Sequence, residues 1–156
     1  MGIERDRLAE DLLSFAQVAP RVNSDADLIA EIAKRVEPWG VTYFGATVMS
    51  DSERNFKLGP RFGKYNAAWA STYFGQQLYR DDPVIDFALR SERGEYWDRA
   101  FDPQKIGKGG RRVLGVAKEF GAADGYMAPV PLFNGDVVIV SYQGDRLERH
   151  PDVEAV

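Results

Sequence analysis

At 156 residues, 44% of them hydrophobic and 12% aromatic, the chain has material for one globular domain with a proper core. With no Cys and one His it excludes a disulfide framework, a thiolate nucleophile and a cysteine metal site, while a formal charge of −4 and a pI near 5.1 argue against a nucleic-acid-binding surface. No stretch approaches the ~18 consecutive apolar residues of a membrane span, and Met1 to Arg7 lacks an apolar signal region, so a cytoplasmic protein is expected.

In chain order, Arg5 to Val18 places Leu8, Leu12, Phe15 and Ala16 on one helical face, which should pack on the domain flank. Ser24 followed by Asp27 is a loose capping-box start. Behind it Leu28, Ile29, Ile32, Ala33 and Val36 make a second amphipathic helix that ends before Pro38. Val41 to Met49, rich in β-branched and aromatic residues, reads as a strand whose small Gly45 and Ala46 would let a helix or a ligand lie close. Asp51 to Asn55 is a polar turn, and Phe56 to Gly59 a short returning strand broken at Gly59-Pro60. A helix from about Tyr65 to Leu78 follows. Asp82-Pro83 then reads as an N-cap and first helical residue, with Val84, Ile85, Phe87, Ala88 and Leu89 in a buried helix behind them.

Gly107, Gly109 and Gly110 form a loose connection without a phosphate-loop pattern. Arg111 to Phe120 is a helix with Val113, Leu114, Ala117 and Phe120 inward, stopped by Gly121; Lys108, Arg111 and Arg112 are its solvated start. Tyr126 to Phe133 and Val137 to Tyr142 flank Asn134-Gly135, a hairpin turn whose two residues both tolerate positive φ. These elements give an α/β (α+β) chain arranged as an α/β/α sandwich, a central antiparallel sheet with helices on both faces.

Tyr65, Trp69 and Tyr73 recur at i, i+4 and i+8, so on one helix they form a stripe with polar tips. A phenol donates or accepts, an indole N–H only donates, and the ionised Asp82 only accepts, so the set could hold a small ligand bearing carbonyls and an N–H. The same stripe also fits the buried face of a core helix, and Asp82 fits a helix cap; a carboxylate has about four lone-pair sites, so cap and ligand acceptor can coexist.

The pattern Trp69-x3-Tyr73-x8-Asp82-Pro83-x13-Trp97, followed by Gly125 in Asp124-Gly125-Tyr126, resembles the signal-binding domain of LuxR-type quorum-sensing regulators, which bind acyl-homoserine lactones. The resemblance runs over about residues 5 to 145. It departs from the family where Gly94-Glu95-Tyr96 replaces the Pro-Phe pair common before the second Trp, and where the sequence stops at Val156. It implies a five-stranded antiparallel sheet between helical layers, with a buried pocket. By the same resemblance Trp69 donates to the lactone carbonyl, Asp82 accepts the amide N–H, Tyr65 donates to the acyl carbonyl and Ser141 lies near that carbonyl. Tyr73, Val84, Ile85 and Trp97 match wall positions, and Leu114 joins them. The chemistry agrees: two carbonyls need donors, one N–H needs an acceptor, and the tail is apolar. Gly125 would serve an unusual backbone conformation or a close approach.

No catalytic residue, metal or cofactor is expected. His150, the only imidazole, sits in the polar run Glu148-Arg149-His150-Pro151 with no nucleophile elbow, paired carboxylate or metal-spaced cluster beside it. The resemblance implies one sensing domain over residues 1–156 that works as a homodimer, has no membrane partner, and reads DNA through a C-terminal helix-turn-helix domain absent from this sequence. Two other readings remain: a sensor-only protein that pairs with full-length regulators and inhibits them, and a ligand-free PAS- or GAF-like interaction module.

Overall fold

In the computed structural model, which describes residues 2–52 and 55–149 and the side chains of residues 7–50 and 61–149, the chain divides into two units, Met1–Gly40 with Glu148–Val156 and Val41–Leu147. Glu53 and Arg54 of the expected polar turn, His150, and the segment from Pro151 to Val156 lie outside the described residues.

The first unit carries α1 (Gly2–Val18) and α2 (Asp25–Val36). Ser24 caps α2 as its sequence position predicts, its hydroxyl accepting from the Asp27 N–H at 3.1 Å. The helix ends before Pro38, in a 3₁₀ turn, Glu37–Trp39, closed by Gly40 at φ 83°. Arg35 bridges Glu31 at 2.5 Å and Asp11 at 3.5 Å, and its guanidinium lies 5.2 Å from the Phe15 ring centroid. The expected apolar face of α1 is not a buried one. Leu12 and the adjacent Leu13 are 68% and 64% exposed and Ala16 is exposed, while Leu8 and Phe15 are only half-buried.

The second unit carries β1 (Tyr43–Ser52), β2 (Asn55–Lys64), α3 (Ala67–Gly75), α4 (Pro83–Arg90), β3 (Glu95–Tyr96), α5 (Trp97–Ala100), α6 (Lys108–Glu119), β4 (Asp124–Pro131) and β5 (Val137–Gly144). The strands form the expected five-stranded antiparallel sheet, in the order β2-β1-β5-β4-β3. Pairing of Gly45 with Ser141, Thr47 with Ile139 and Met127 with Ser141 sets these residues on one face. On that face Met49, Met127 and Ile139 share a core with Trp69 of α3, Val84 and Ile85 of α4, Trp97, and Val113 and Ala117 of α6.

Four local readings need correction. β2 does not stop at Gly59-Pro60 but runs on to Lys64. Between the pairs Thr47/Arg61 and Met49/Leu58 a bulge sets two β2 residues against one of β1, and β2 is an edge strand, so Pro60 removes no needed ladder bond. The hairpin turn has three residues, Phe133 to Gly135, inside the Leu132 N–H to Asp136 C=O bond of 2.8 Å, and only Gly135, at φ 89°, takes positive φ. α6 begins at Lys108, so Gly109 and Gly110 are helical; a Cβ at Gly109 would lie 2.8 Å from the Asp81 carboxyl carbon, so glycine lets this turn approach Asp81. α3 ends at Gly75 instead of Leu78, because Gln77 turns left-handed (φ 53°) and its N–H bonds the Phe74 carbonyl at 3.2 Å.

Gly121 closes α6 as expected. At φ 88° its N–H bonds the Lys118 carbonyl and the Ala122 N–H bonds that of Ala117, a complete Schellman motif.

Candidate ligand-binding site

Asn66 sets the start of α3. Its side chain accepts from the Trp69 N–H at 3.0 Å, so the helix begins at Ala67 and Tyr65 stays outside it. The three-residue stripe expected on one helix is therefore two residues, Trp69 and Tyr73, whose ring centroids are 5.1 Å apart. Tyr65 reaches the same place from the end of β2. Its phenol crosses β1 at Gly45, where a Cβ would come within 2.0 Å of the hydroxyl oxygen, so only glycine admits it. The Tyr65 hydroxyl donates to the Phe62 carbonyl at 3.0 Å and is also bonded to Thr47. Burial raises its pKa, with the Thr47 bond and Arg61 opposing. To donate to a ligand it must turn from Phe62.

Asp82 is the chemical centre. As N-cap of α4 it accepts on Oδ1 from the Val84 N–H at 2.8 Å, and on Oδ2 it accepts from the Tyr73 hydroxyl at 2.5 Å. Burial pushes its carboxyl from the usual 3.8 up to about 6, against the bonds from Tyr73, Val84 and Ile85 that favour the charged form. The Tyr73 phenol is raised well above its ordinary value, by burial first and then by the neighbouring Asp82 charge and the bond to it.

Trp97 opens α5 directly after β3, and its indole lies against Gly125 of β4; a Cβ there would be 2.3 Å from a ring carbon. Gly125 has no positive φ, so close approach is the reason for glycine at this position. Across the sheet floor Ser141 of β5 stands opposite Gly45.

Every residue expected at the site, Tyr65, Trp69, Tyr73, Asp82, Val84, Ile85, Trp97, Leu114 and Ser141, lines one cavity of about 90 Å³. The structure adds Gly45, Thr47, Phe74 and Gln143 to that lining. Thr47 and Gln143 were legible in principle, since each stands two residues from a floor residue along a strand and so shares its face. Phe74 had no such signal; it is placed by the guanidinium of Arg61, 3.8 Å from its ring centroid. Polar groups thus gather around Asp82 and Gly45, while Met49, Val84, Ile85, Val113 and Ile139 make the rest apolar. That division suits a ligand with a polar head and an apolar tail. Among the described residues no group of three His, Cys, Asp or Glu is placed to hold a metal, and no helix is long and apolar enough to cross a membrane.

The family model described as "Autoinducer binding domain" matches residues 24–155. The transcriptional activator protein AhyR of Aeromonas hydrophila is 25% identical over 142 residues, covering 90% of this chain and 53% of its own length; the chain thus spans about half the length of the curated relatives it matches. Among solved structures, the N-acylhomoserine lactone dependent LuxR family factor CepR2 of Burkholderia cenocepacia superposes with a TM-score of 0.74 at 18% identity, over 94% of this chain and 84% of that one. SdiA, an Escherichia coli protein, in complex with octanoyl-rac-glycerol gives 0.71 at 17% identity, over 94% and 57%. At these identities the structural likeness is one of fold.

Proposed function

The chain belongs to the autoinducer-binding domain family of LuxR-type regulators, a family of ligand-binding domains and not of enzymes, and we propose that it binds an N-acyl-homoserine lactone in the cavity between the sheet and α3, α4 and α6. The observation that carries this reading is the pairing of Asp82, an acceptor held at the cavity wall, with the indole of Trp69 and the hydroxyl of Ser141 around an otherwise apolar space. Asp82 takes the amide N–H, Trp69 the lactone carbonyl, Tyr65 and Ser141 the acyl carbonyl, and the tail runs between Val84, Ile85, Trp97 and Leu114. In a longer regulator, filling the cavity would stabilise the sensing domain and through it a homodimer competent to act on transcription. Transcriptional activation, the function named for AhyR, enters this proposal in that sense.

A melting screen tests it. Ligand that binds only the folded state adds RT ln(1 + [L]/Kd), about 2.7 kcal/mol at a hundredfold excess over Kd. Lactones of graded acyl length should therefore raise Tm by several degrees, with a maximum at the fitting chain, and the ring-opened acid should do far less because its carboxylate would lie near Asp82. Octanoyl glycerol belongs in the panel, since a fold neighbour holds it. A flat profile on folded protein overturns the proposal and favours a ligand-free interaction module.

A further inference from the structure

Tyr73 matches a wall position of the pocket, yet its hydroxyl is bonded to the one carboxylate on which the proposed function depends. Both oxygens of Asp82 are held: Oδ1 by the Val84 N–H of its own helix at 2.8 Å, Oδ2 by Tyr73 of α3 at 2.5 Å. Rotation of the carboxylate would break one bond or the other, so the two donors fix its plane. A carboxylate offers about four lone-pair sites, so acceptor capacity remains, and Asp82 and Tyr73 both line the cavity. Tyr73 is itself immobilised. Its ring stands 5.1 Å from Trp69, 5.1 Å edge-on from Phe74 and 6.3 Å from Tyr79.

We propose that Tyr73 is a positioning residue: by donating to Oδ2 it holds the Asp82 carboxylate with a free lone pair toward an amide N–H in the cavity, so that the site selects N-acyl amides over the corresponding esters. This rests on the lactone-receptor reading above. An ester presents an oxygen where the amide presents N–H, and a fixed acceptor cannot bond it.

The surroundings leave Tyr73 as the group able to tune Asp82. On the cavity side the other titratable neighbour is Tyr65; on the outer side a groove is lined by Arg80, Asp81, Asp86, Arg90, Asp102 and Lys105. None of these charges is among the main influences on the carboxyl, which are burial, then the bonds from Tyr73, Val84 and Ile85. Removing the Tyr73 hydroxyl removes a bond that favours the charged form, so Asp82 should hold its proton to higher pH.

The test measures Kd by calorimetry on the whole chain between about pH 5 and 7.5. The probes are N-octanoyl-homoserine lactone, or the acyl length with the largest melting shift, and the ester made from the matching hydroxy-lactone. The parent should prefer amide to ester by about tenfold or more. Tyr73→Phe should lose about 3- to 30-fold in amide affinity at neutral pH, move the pH midpoint of binding upward and narrow the amide-to-ester ratio. A variant that keeps the parent's midpoint and ratio overturns the proposal even if it binds more weakly, because lost packing would weaken both probes alike. If Tyr73→Phe does not fold, 3-fluorotyrosine at position 73 keeps the shape and donates more strongly, and the midpoint should then move down; an unmoved midpoint is equally decisive against the idea. A parent that binds neither probe overturns the receptor reading, and this inference with it.

Discussion

Gly125→Ala tests whether the cavity wall is built as described. A Cβ at this position would sit 2.3, 2.6 and 2.7 Å from three carbons of the Trp97 indole. Carbon contacts are favourable at about 3.5–4.0 Å, so the ring must retreat by about 1 Å or more. It cannot do so cheaply. The indole is rigid, only 6% exposed, and packed in a core with Val84, Ile85 and Met127, so the substitution is an overpacking of the kind that costs about 1–3 kcal/mol. In a chain of this length each kcal/mol is worth about 2–4 °C of Tm, so a fall of about 2–12 °C is expected by differential scanning fluorimetry or circular dichroism. Trimming the ring should relieve the contact: in a Trp97→Leu background the same Ala should cost much less, a coupling that a double-mutant cycle resolves. An alanine variant that melts within about 1 °C of the parent, with no coupling to position 97, would refute the reasoning, since about 1 kcal/mol is the least that overpacking predicts.

Further outcomes follow from the same geometry. Gly45→Ala puts a Cβ 2.0 Å from the Tyr65 hydroxyl, but Tyr65 is 41% exposed and can swing outward, so Tm should change little while lactone affinity drops; a variant with unchanged affinity removes Tyr65 from the site. Trp69→Phe should weaken lactone binding by about 0.5–1.5 kcal/mol and Asp82→Asn by about 1.5–3, the latter keeping its fold because Asn also caps helices; parent-like titrations of both would end the residue assignment. Stability should depend on pH through Asp82, whose pKa is higher folded than unfolded: its contribution is complete below about pH 4 and is lost as pH rises through about 6. A rise from 3.8 to about 6 is worth on the order of 3 kcal/mol, and Asp82→Asn should flatten that part of the Tm–pH curve, which tells against the buried carboxyl if it does not.

How much of this was legible depends on the range of the interactions concerned. Asp82-Pro83, Ser24 and Gly121 act on their own helices within one turn, and each does in the structure what its position in the sequence implies. That the candidate site residues share one cavity was legible for a related reason: the spacing from Trp69 to Trp97 matches a known family. Misreadings arose where a distant neighbour decides, or where a local cap overrides the apparent repeat. Pro60 breaks an isolated strand but not an edge strand at a bulge. Gly109 reads as a loop until Asp81 is known to lie against it. Tyr65 falls in a helical repeat with Trp69, and the cap at Asn66 places it outside the helix. The two residues of β3 are too few to show any period, yet they deliver Trp97 onto Gly125. The cavity-lining positions were thus named without the contacts that bring them together.

Fold and proposed binding site use the same atoms here, and this decides how the variants must be read. Asp82 starts α4 with one oxygen and ties to α3 with the other, while Trp69 packs 5.7 Å from Phe120 at the end of α6. Removing one of these residues therefore loosens the joints between helices as well as a proposed ligand contact, and loss of response in a cell cannot distinguish the two. The pH dependence can. Between about pH 4 and 6 the empty domain should lose stability as Asp82 ionises, whereas affinity for an amide N–H should rise, because only the ionised carboxylate is a pure acceptor. The melting shift produced by a lactone should grow across the same interval in which the unliganded Tm falls. A loosened core would move both in one direction, so opposite slopes identify the carboxylate as the group at which folding and recognition meet.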